Sequence, residues 1–155
     1  MAEHQPKQID FTAGIEWRGH KIGEIFVDEE KHSRGLVNPP PVFGGIQGSY
    51  NPEHLLLAAV ASCTMSSFLY FVSTNKIDLI SYENSVKGTL TKGKDGFSFT
   101  HIFIDAQITV ATGNKEKAEE AARLGHRFCL ISNSLNAQVE NRFTVLEIEK
   151  TEQES

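Results

Sequence analysis

The sequence predicts an α+β fold of mainly antiparallel sheets with a long buried central helix and a second, shorter helix. Three observations carry this. Segments with strict apolar/polar alternation occur in pairs joined by short turn-forming stretches. One segment, Ser49 to Val72, is apolar or small over far more residues than a strand needs. The resulting order, β-β-(β)-α-β-β-α-β, lacks the regular βαβ alternation of a doubly wound sheet. At 155 residues and 39% hydrophobic, the chain suffices for one domain, residues 1–155, or two small lobes with a real core.

In order, Ile9, Phe11, Ala13, Ile15 and Trp17 alternate with polar or small residues, the period of a half-buried strand. Arg18-Gly19-His20-Lys21 forms a turn and Ile22 to Val27 a second strand, so the chain opens with a hairpin carrying Arg18 at its tip. Asp28 to Ser49 is charged at first and then rich in proline and glycine; Pro39, Pro40 and Pro41 cannot donate to a ladder, which predicts a loop with at most a short edge strand. Ile80 to Leu90 and Phe97 to Val110 make a second hairpin across Lys92-Gly93-Lys94-Asp95-Gly96. Asn114 is the expected N-cap of a helix from Lys115 to about Leu124, packing through Ala118, Ala121 and Ala122 and bent or ended by Gly125. A helical turn over Phe128-Cys129-Leu130-Ile131 and a last strand from Asn141 to Ile148 follow. Residues 1–8 and 149–155 are expected to fray.

The Ser49 to Val72 helix has a strong start. Asn51 is a favoured N-cap, Pro52 occupies the first helical position, and Glu53 lies in the first turn where the helix dipole favours an acid. Asn75 and Lys76 suit its other end. Without a wide polar face it must be covered nearly all round, and a chain this small is expected to obtain part of that cover from a second copy in an intertwined homodimer. A membrane span is the competing reading; Ser62, Thr64, Ser66 and Ser67 interrupt the run, and no other candidate span is present.

Composition removes several function classes. A net charge of −5 and scattered Lys and Arg argue against a nucleic-acid surface. No apolar run near the N-terminus resembles a secretory signal, so the expected compartment is the cytoplasm. Cys63 and Cys129, 66 residues apart, fit neither a C-x-x-C motif nor a zinc ribbon, and a structural disulfide is not expected in reducing cytosol. Gly44-Gly45-Ile46-Gln47-Gly48 lacks the Gly-Lys-Ser/Thr of a phosphate loop. The six histidines show no ligand spacing; a zinc site of His126, Cys63 and Glu53 is a remote alternative. Ser62, Ser66 and Ser67 lack the Gly-x-Ser-x-Gly context of a hydrolase nucleophile.

A thiol in an apolar helix reads first as inert packing. Reactivity needs the thiolate, and therefore something that offsets burial, such as an arginine or a helix start. Cys129 begins a helical turn with Arg127 two residues before it.

The pattern Asn51-Pro52-Glu53, a Leu- and Ala-rich helix reaching Ala61-Ser62-Cys63, and a second cysteine in Cys129-Leu130-Ile131-Ser132 resembles the OsmC/Ohr family of thiol-dependent peroxidases. The order of elements matches over most of the chain. The resemblance implies reduction of organic hydroperoxides without metal, haem or other cofactor, by a peroxidatic Cys63 that becomes a sulfenic acid and a resolving Cys129 that condenses with it. It implies a dithiol reductant, of lipoyl type or another small dithiol, and a dry wall around Cys63 that favours alkyl or lipid peroxides. It also implies an arginine that holds the thiolate, with Glu53 orienting it; Arg18 in the first hairpin turn is the match, Arg127 the second choice and Arg34 the third. Glu53 and Cys63 are ten residues apart on one helix, about 15 Å of axial rise, so an arginine must bridge them or Glu53 must serve a partner chain. After Cys129, Leu130 stands where many members carry proline. A non-catalytic module holding a small hydrophobic ligand in the same cavity is the alternative.

Overall fold

The computed structural model describes residues 8–27 and 31–150, apart from the side chains of residues 32 and 33. The expected fraying of residues 1–7 and 151–155 lies outside them. The chain divides into two compact units, Met1–Leu55 and Leu56–Ser155.

The first unit is a three-stranded antiparallel sheet of β1 (Ala13–Trp17), β2 (Gly23–Val27) and β3 (His32–Val37), in that order. The hairpin is as expected. Its turn closes through Arg18 N–H to Ile22 O, 2.9 Å, with Gly19 and His20 both at positive φ. The alternating face, however, is not half-buried: Phe11 is 92% and Trp17 76% exposed within the chain. The Pro/Gly stretch holds more order than its composition suggests. β3 is a full edge strand, and a 3-10 turn, Pro41–Phe43, follows it. Buried Asn38 staples the loop: its Oδ1 accepts from Ile46 N at 2.7 Å, its Nδ2 donates to Ser49 Oγ at 2.6 Å, and its own N–H reaches Tyr50 O. A Cβ on Gly45 would collide with Pro39 O at 1.4 Å, so only glycine fits there.

Helix α1 (Pro52–Thr74) starts in the first unit and continues into the second. Its start is as expected, with Asn51 Oδ1 accepting from His54 N at 2.8 Å, the N-cap bond to the third helical amide. It ends in a Schellman motif. Lys76 is left-handed at φ 51, its N–H bonds Ser73 O, and Ile77 N–H bonds Val72 O while the Ile77 side chain is buried. By length and composition α1 could cross a membrane, but Val60, Thr64 and Phe68, a stripe at i, i+4 and i+8, are buried against the second unit's sheet. Within the single chain Leu57, Phe71 and Val72 are partly buried against the same core, whereas Met65, Leu69 and Tyr70 are exposed.

The second unit's sheet is β4 (Leu79–Gly93), β5 (Gly96–Ala111) and β6 (Gln138–Ile148), with β5 central. The β4–β5 hairpin is antiparallel as expected, but β6 pairs parallel to β5, His101 opposite Gln138 through Ala111 opposite Ile148. The connection that permits this carries α2 (Lys115–Arg127) and the single turn α3 (Leu130–Asn133), so one βαβ unit sits inside an otherwise antiparallel fold. Ile102, Ile104, Ala106, Ile108 and Val110 alternate along β5 and are all buried, beneath α1 and α2.

Two expectations for α2 are corrected. Gly125 does not end the helix, which runs on to Arg127; it lets α2 touch α1, since a Cβ there would lie 2.8 Å from Phe68 N and 2.9 Å from Phe68 Cα. Asn114 makes no side-chain cap bond; its Oδ1 accepts instead from Asp78 N. The capping oxygen is Glu147 Oε1 on β6, which accepts from Gly113 N at 2.9 Å and Lys115 N at 2.8 Å.

Candidate active site

Both cysteines lie in the second unit and are free thiols. Thr64 sits in the buried stripe of α1, so Cys63, the residue before it, falls at the stripe's edge and is half-buried. Cys129 is 0% exposed. It stands between the C-terminus of α2 and α3, its N–H bonded to His126 O and its carbonyl accepting from Asn133 N. The turn thus folds the chain back so that the Cys129 sulfur meets the α1 stripe at Thr64, the neighbour of Cys63 in the chain.

Two hydroxyls donate toward that sulfur: Ser132 Oγ at 3.2 Å and Thr64 Oγ1 at 3.6 Å. Burial pushes the Cys129 thiol up. The Ser132 hydroxyl and N–H, then Thr64 and Cys63, outweigh it and hold the thiol below its ordinary value. The Ser132 N–H acts as a nearby dipole, since the sulfur makes no cap bond to α3. Tyr82 on β4 stacks on Phe68 with ring centroids 5.2 Å apart, and its hydroxyl accepts from Asn84 Nδ2 at 2.9 Å. Burial raises the Tyr82 phenol and charge on Cys129 raises it further, against the lowering by Asn84.

Cys63 opens onto a cleft of about 630 Å³ walled by Ser66, Ser67, Tyr70 and Phe71 of α1 and by Phe128 and Leu130 on either side of Cys129. Phe71 and Phe128 form its aromatic wall, centroids 6.0 Å apart. The arrangement is a thiol facing an apolar space with a second thiol behind it. Ser132, Thr64 and Tyr82 are the members that the sequence reading missed. Ser132 falls three residues after Cys129, one helical turn on, which is the signal that could have found it.

The remaining expected residues fall as follows. Glu53, in the first unit, has one buried carboxylate oxygen without a hydrogen-bond partner. Arg18 is bound elsewhere in that unit. Glu16 and Glu24 face each other across β1 and β2, a repulsive placement that Arg18, Arg34 and Lys31 offset. Arg18 bonds both carboxylates, Arg34 lies 2.7 Å from Glu24, and Lys31 holds Glu16. The Arg18 guanidinium keeps the Glu24 carboxyl below its usual range, and the pairing raises Arg18 in turn. No Arg18–Glu53 ion pair occurs among the described residues. Arg127 places its guanidinium carbon 5.5 Å from the Phe128 ring centre. His126 packs against Phe143, its Nδ1 buried and unpaired, and burial lowers its pKa. Among the described residues no group of three His, Cys, Asp or Glu side chains gathers to hold a metal.

The model of the OsmC-like protein family matches residues 45–143, well over half of the chain and a span that includes both cysteines. This protein belongs to the OsmC-like family. Solved structures agree on the fold. An OsmC-like protein of unknown function from Vibrio cholerae is 20% identical with a TM-score of 0.78, covering 88% of this chain and 100% of its own. An organic hydroperoxide resistance protein from Elizabethkingia anophelis is 21% identical, TM-score 0.72, covering 93% and 100%. Another from Legionella pneumophila is 24% identical, TM-score 0.70, covering 90% and 98%. A comparison with curated proteins gives no significant match. The expected α+β, OsmC-like architecture is therefore the observed one.

Proposed function

We propose that this protein is a thiol-dependent peroxidase that reduces organic hydroperoxides, with Cys63 as the attacking sulfur and Cys129 as the resolving one. The observation that carries the reading is that Cys63 lines the apolar cleft and is the chain neighbour of Thr64, whose hydroxyl reaches the Cys129 sulfur at 3.6 Å. A peroxide whose alkyl part fills the cleft presents its O–O bond to Cys63, and the sulfenic acid that forms there needs little motion to condense with Cys129. Among the described residues the lining carries no charged side chain, which favours alkyl over small polar peroxides. A dithiol, of lipoyl type or another small dithiol, returns the disulfide to two thiols. Glu53, with its unpaired buried oxygen, and Arg18 are proposed contributors on the family pattern.

A second copy of the chain is part of the same proposal. The exposed apolar faces of β1 and α1 support a homodimer, because such surfaces are rarely left in water. A monomer mass by light scattering would remove it.

The deciding experiment treats the reduced protein with one equivalent of a cumene-type hydroperoxide and weighs it. Loss of two protons with a Cys63–Cys129 crosslink, together with loss of turnover in Cys63→Ser, is expected. An unchanged thiol count points instead to a module that binds a hydrophobic ligand in the cleft.

A further inference from the structure

Asn84 is a polar side chain in an apolar row. Tyr82 and Val86, on either side of it along β4, pack against the two clusters of the core, and Ala106, opposite it on β5, is fully buried. An amide in such a place costs stability unless its polar atoms find partners. Asn84 Nδ2 donates to Ala61 O at 3.0 Å and to Tyr82 Oη at 2.9 Å, which uses both of its hydrogens. A peptide carbonyl only accepts, so the NH2 end of the amide is the end that faces α1.

The bond to Ala61 is surplus to the helix. Ala61 lies inside α1, where each carbonyl already accepts from the N–H four residues on. It is equally surplus to the sheet, because an aliphatic side chain would continue the apolar row. What the bond adds is location. Ala61 and Phe68 are seven residues apart, two turns along one face of α1. Asn84 grips the first, and the Tyr82 ring, whose hydroxyl accepts from Asn84, stacks on the second with centroids 5.2 Å apart. Cys63 falls between these two anchors, and so does Thr64, which reaches the Cys129 sulfur at 3.6 Å. A roll or slide of α1 would carry Cys63 along the cleft and shift it relative to the turn that bears Cys129. Asn84 and Tyr82 together oppose both motions.

We propose that Asn84 is a positioning residue for Cys63: its amide, oriented by Tyr82, fixes the two turns of α1 that carry the thiol in the orientation from which Cys63 pairs with Cys129. The identity of that pair rests on the peroxidase reading. Asn84 acts through the helix backbone and not on the reacting atoms, so it governs the approach of the Cys63 sulfur to the O–O bond and the closure of the disulfide. The aromatic wall that receives the alkyl part, Phe71 and Phe128, lies outside the anchored section. Loss of the amide therefore acts on kcat and leaves KM in place.

The thiol pair itself serves as the ruler. Reduced protein is equilibrated with mixtures of reduced and oxidised glutathione, and the oxidised fraction is read by mass. Cys63 and Cys129 lose two electrons and two protons as their sulfurs join, and oxidised glutathione gains them as its S–S bond opens to two thiols. The equilibrium gives the effective concentration of one protein thiol at the other with no peroxide present. Asn84→Leu and Asn84→Ala should each lower it about tenfold. Tyr82→Phe, which keeps the ring, should lower it in the same direction, and the double variant Asn84→Leu/Tyr82→Phe should be no lower than Asn84→Leu alone. The urea midpoint of Asn84→Leu should stay near the wild type, since an apolar side chain continues the row, and its peroxide turnover should lose kcat at unchanged KM. An effective concentration equal to the wild type in both Asn84 variants would overturn the proposal, and with a lowered urea midpoint it would mark the amide as structural only. Additive losses in the double variant, or a wild-type pair that does not oxidise, would overturn it too. Should the equilibrium shift as expected in a protein that consumes no peroxide, the peroxidase reading fails and the positioning of Cys63 by Asn84 stands.

Discussion

Replacing Gly125 with alanine should destabilise the protein, although the same change in an exposed helix stabilises it. In an isolated helix interior, alanine is better than glycine by about 1 kcal/mol. Here the added Cβ would meet Phe68 N at 2.8 Å, Phe68 Cα at 2.9 Å and Phe68 Cβ at 3.1 Å, all of them on α1 rather than at the end of a flexible side chain. Backbone cannot swing away, so the helices must separate by a few tenths of an ångström. Overpacking of this kind costs about 1–3 kcal/mol. Separation also exposes Phe68 and the alanines of α2, which form one cluster with Ile108 and Val110. Set against the helix-propensity gain, the expected net is a loss of up to about 2 kcal/mol of stability, read as a lower urea midpoint at unchanged m-value. The change has a functional reading too. Cys129 follows α2 by two residues and Thr64 lies one turn before Phe68 on α1, so moving the helices apart lengthens the 3.6 Å contact between them. Slower disulfide formation after a single peroxide addition is expected. A midpoint equal to or above the wild type would refute the claim that α1 and α2 need glycine at their crossing.

Three further outcomes follow from the same packing. Glu147→Ala removes the oxygen that caps α2 through Gly113 and Lys115 and should cost about 1 kcal/mol in chemical denaturation, whereas Asn114→Ala should not act through capping. Lys76→Gly relieves a left-handed residue at the Schellman end of α1; the gain, about 0.5–1 kcal/mol, is the αL cost less the extra flexibility of unfolded glycine. His126 has its folded-state pKa lowered by burial, so the unfolded chain takes up the proton first and stability falls as pH drops through the ordinary histidine range. His126→Gln should flatten that slope in urea midpoints measured between about pH 7 and pH 5.

Local signals carried much of this protein. Asn51-Pro52-Glu53 announced the start of α1, and Asn51 caps it as its side chain allows. Alternation announced β5, whose five inward residues are all buried. The pairing of Cys63 with Cys129 came from resemblance to a family, and no spacing rule would have yielded it. Long-range geometry decided the rest. Nothing local to residues 138–148 tells an antiparallel strand from a parallel one; the choice is made by where α2 and α3 return the chain. Asn114 is a favoured cap, yet Glu147 takes the role because the parallel register carries its carboxylate to the start of α2. Gly125 reads as a helix breaker until α1 is placed 2.8 Å from where a side chain would be. The surroundings of the two thiols were equally hidden. In sequence Cys63 and Cys129 are alike, two small apolar-compatible residues. Only the fold sets the Ser132 and Thr64 hydroxyls beside one sulfur and the cleft before the other, because hydrogen-bond donors and open space are properties of neighbours brought together from distant parts of the chain.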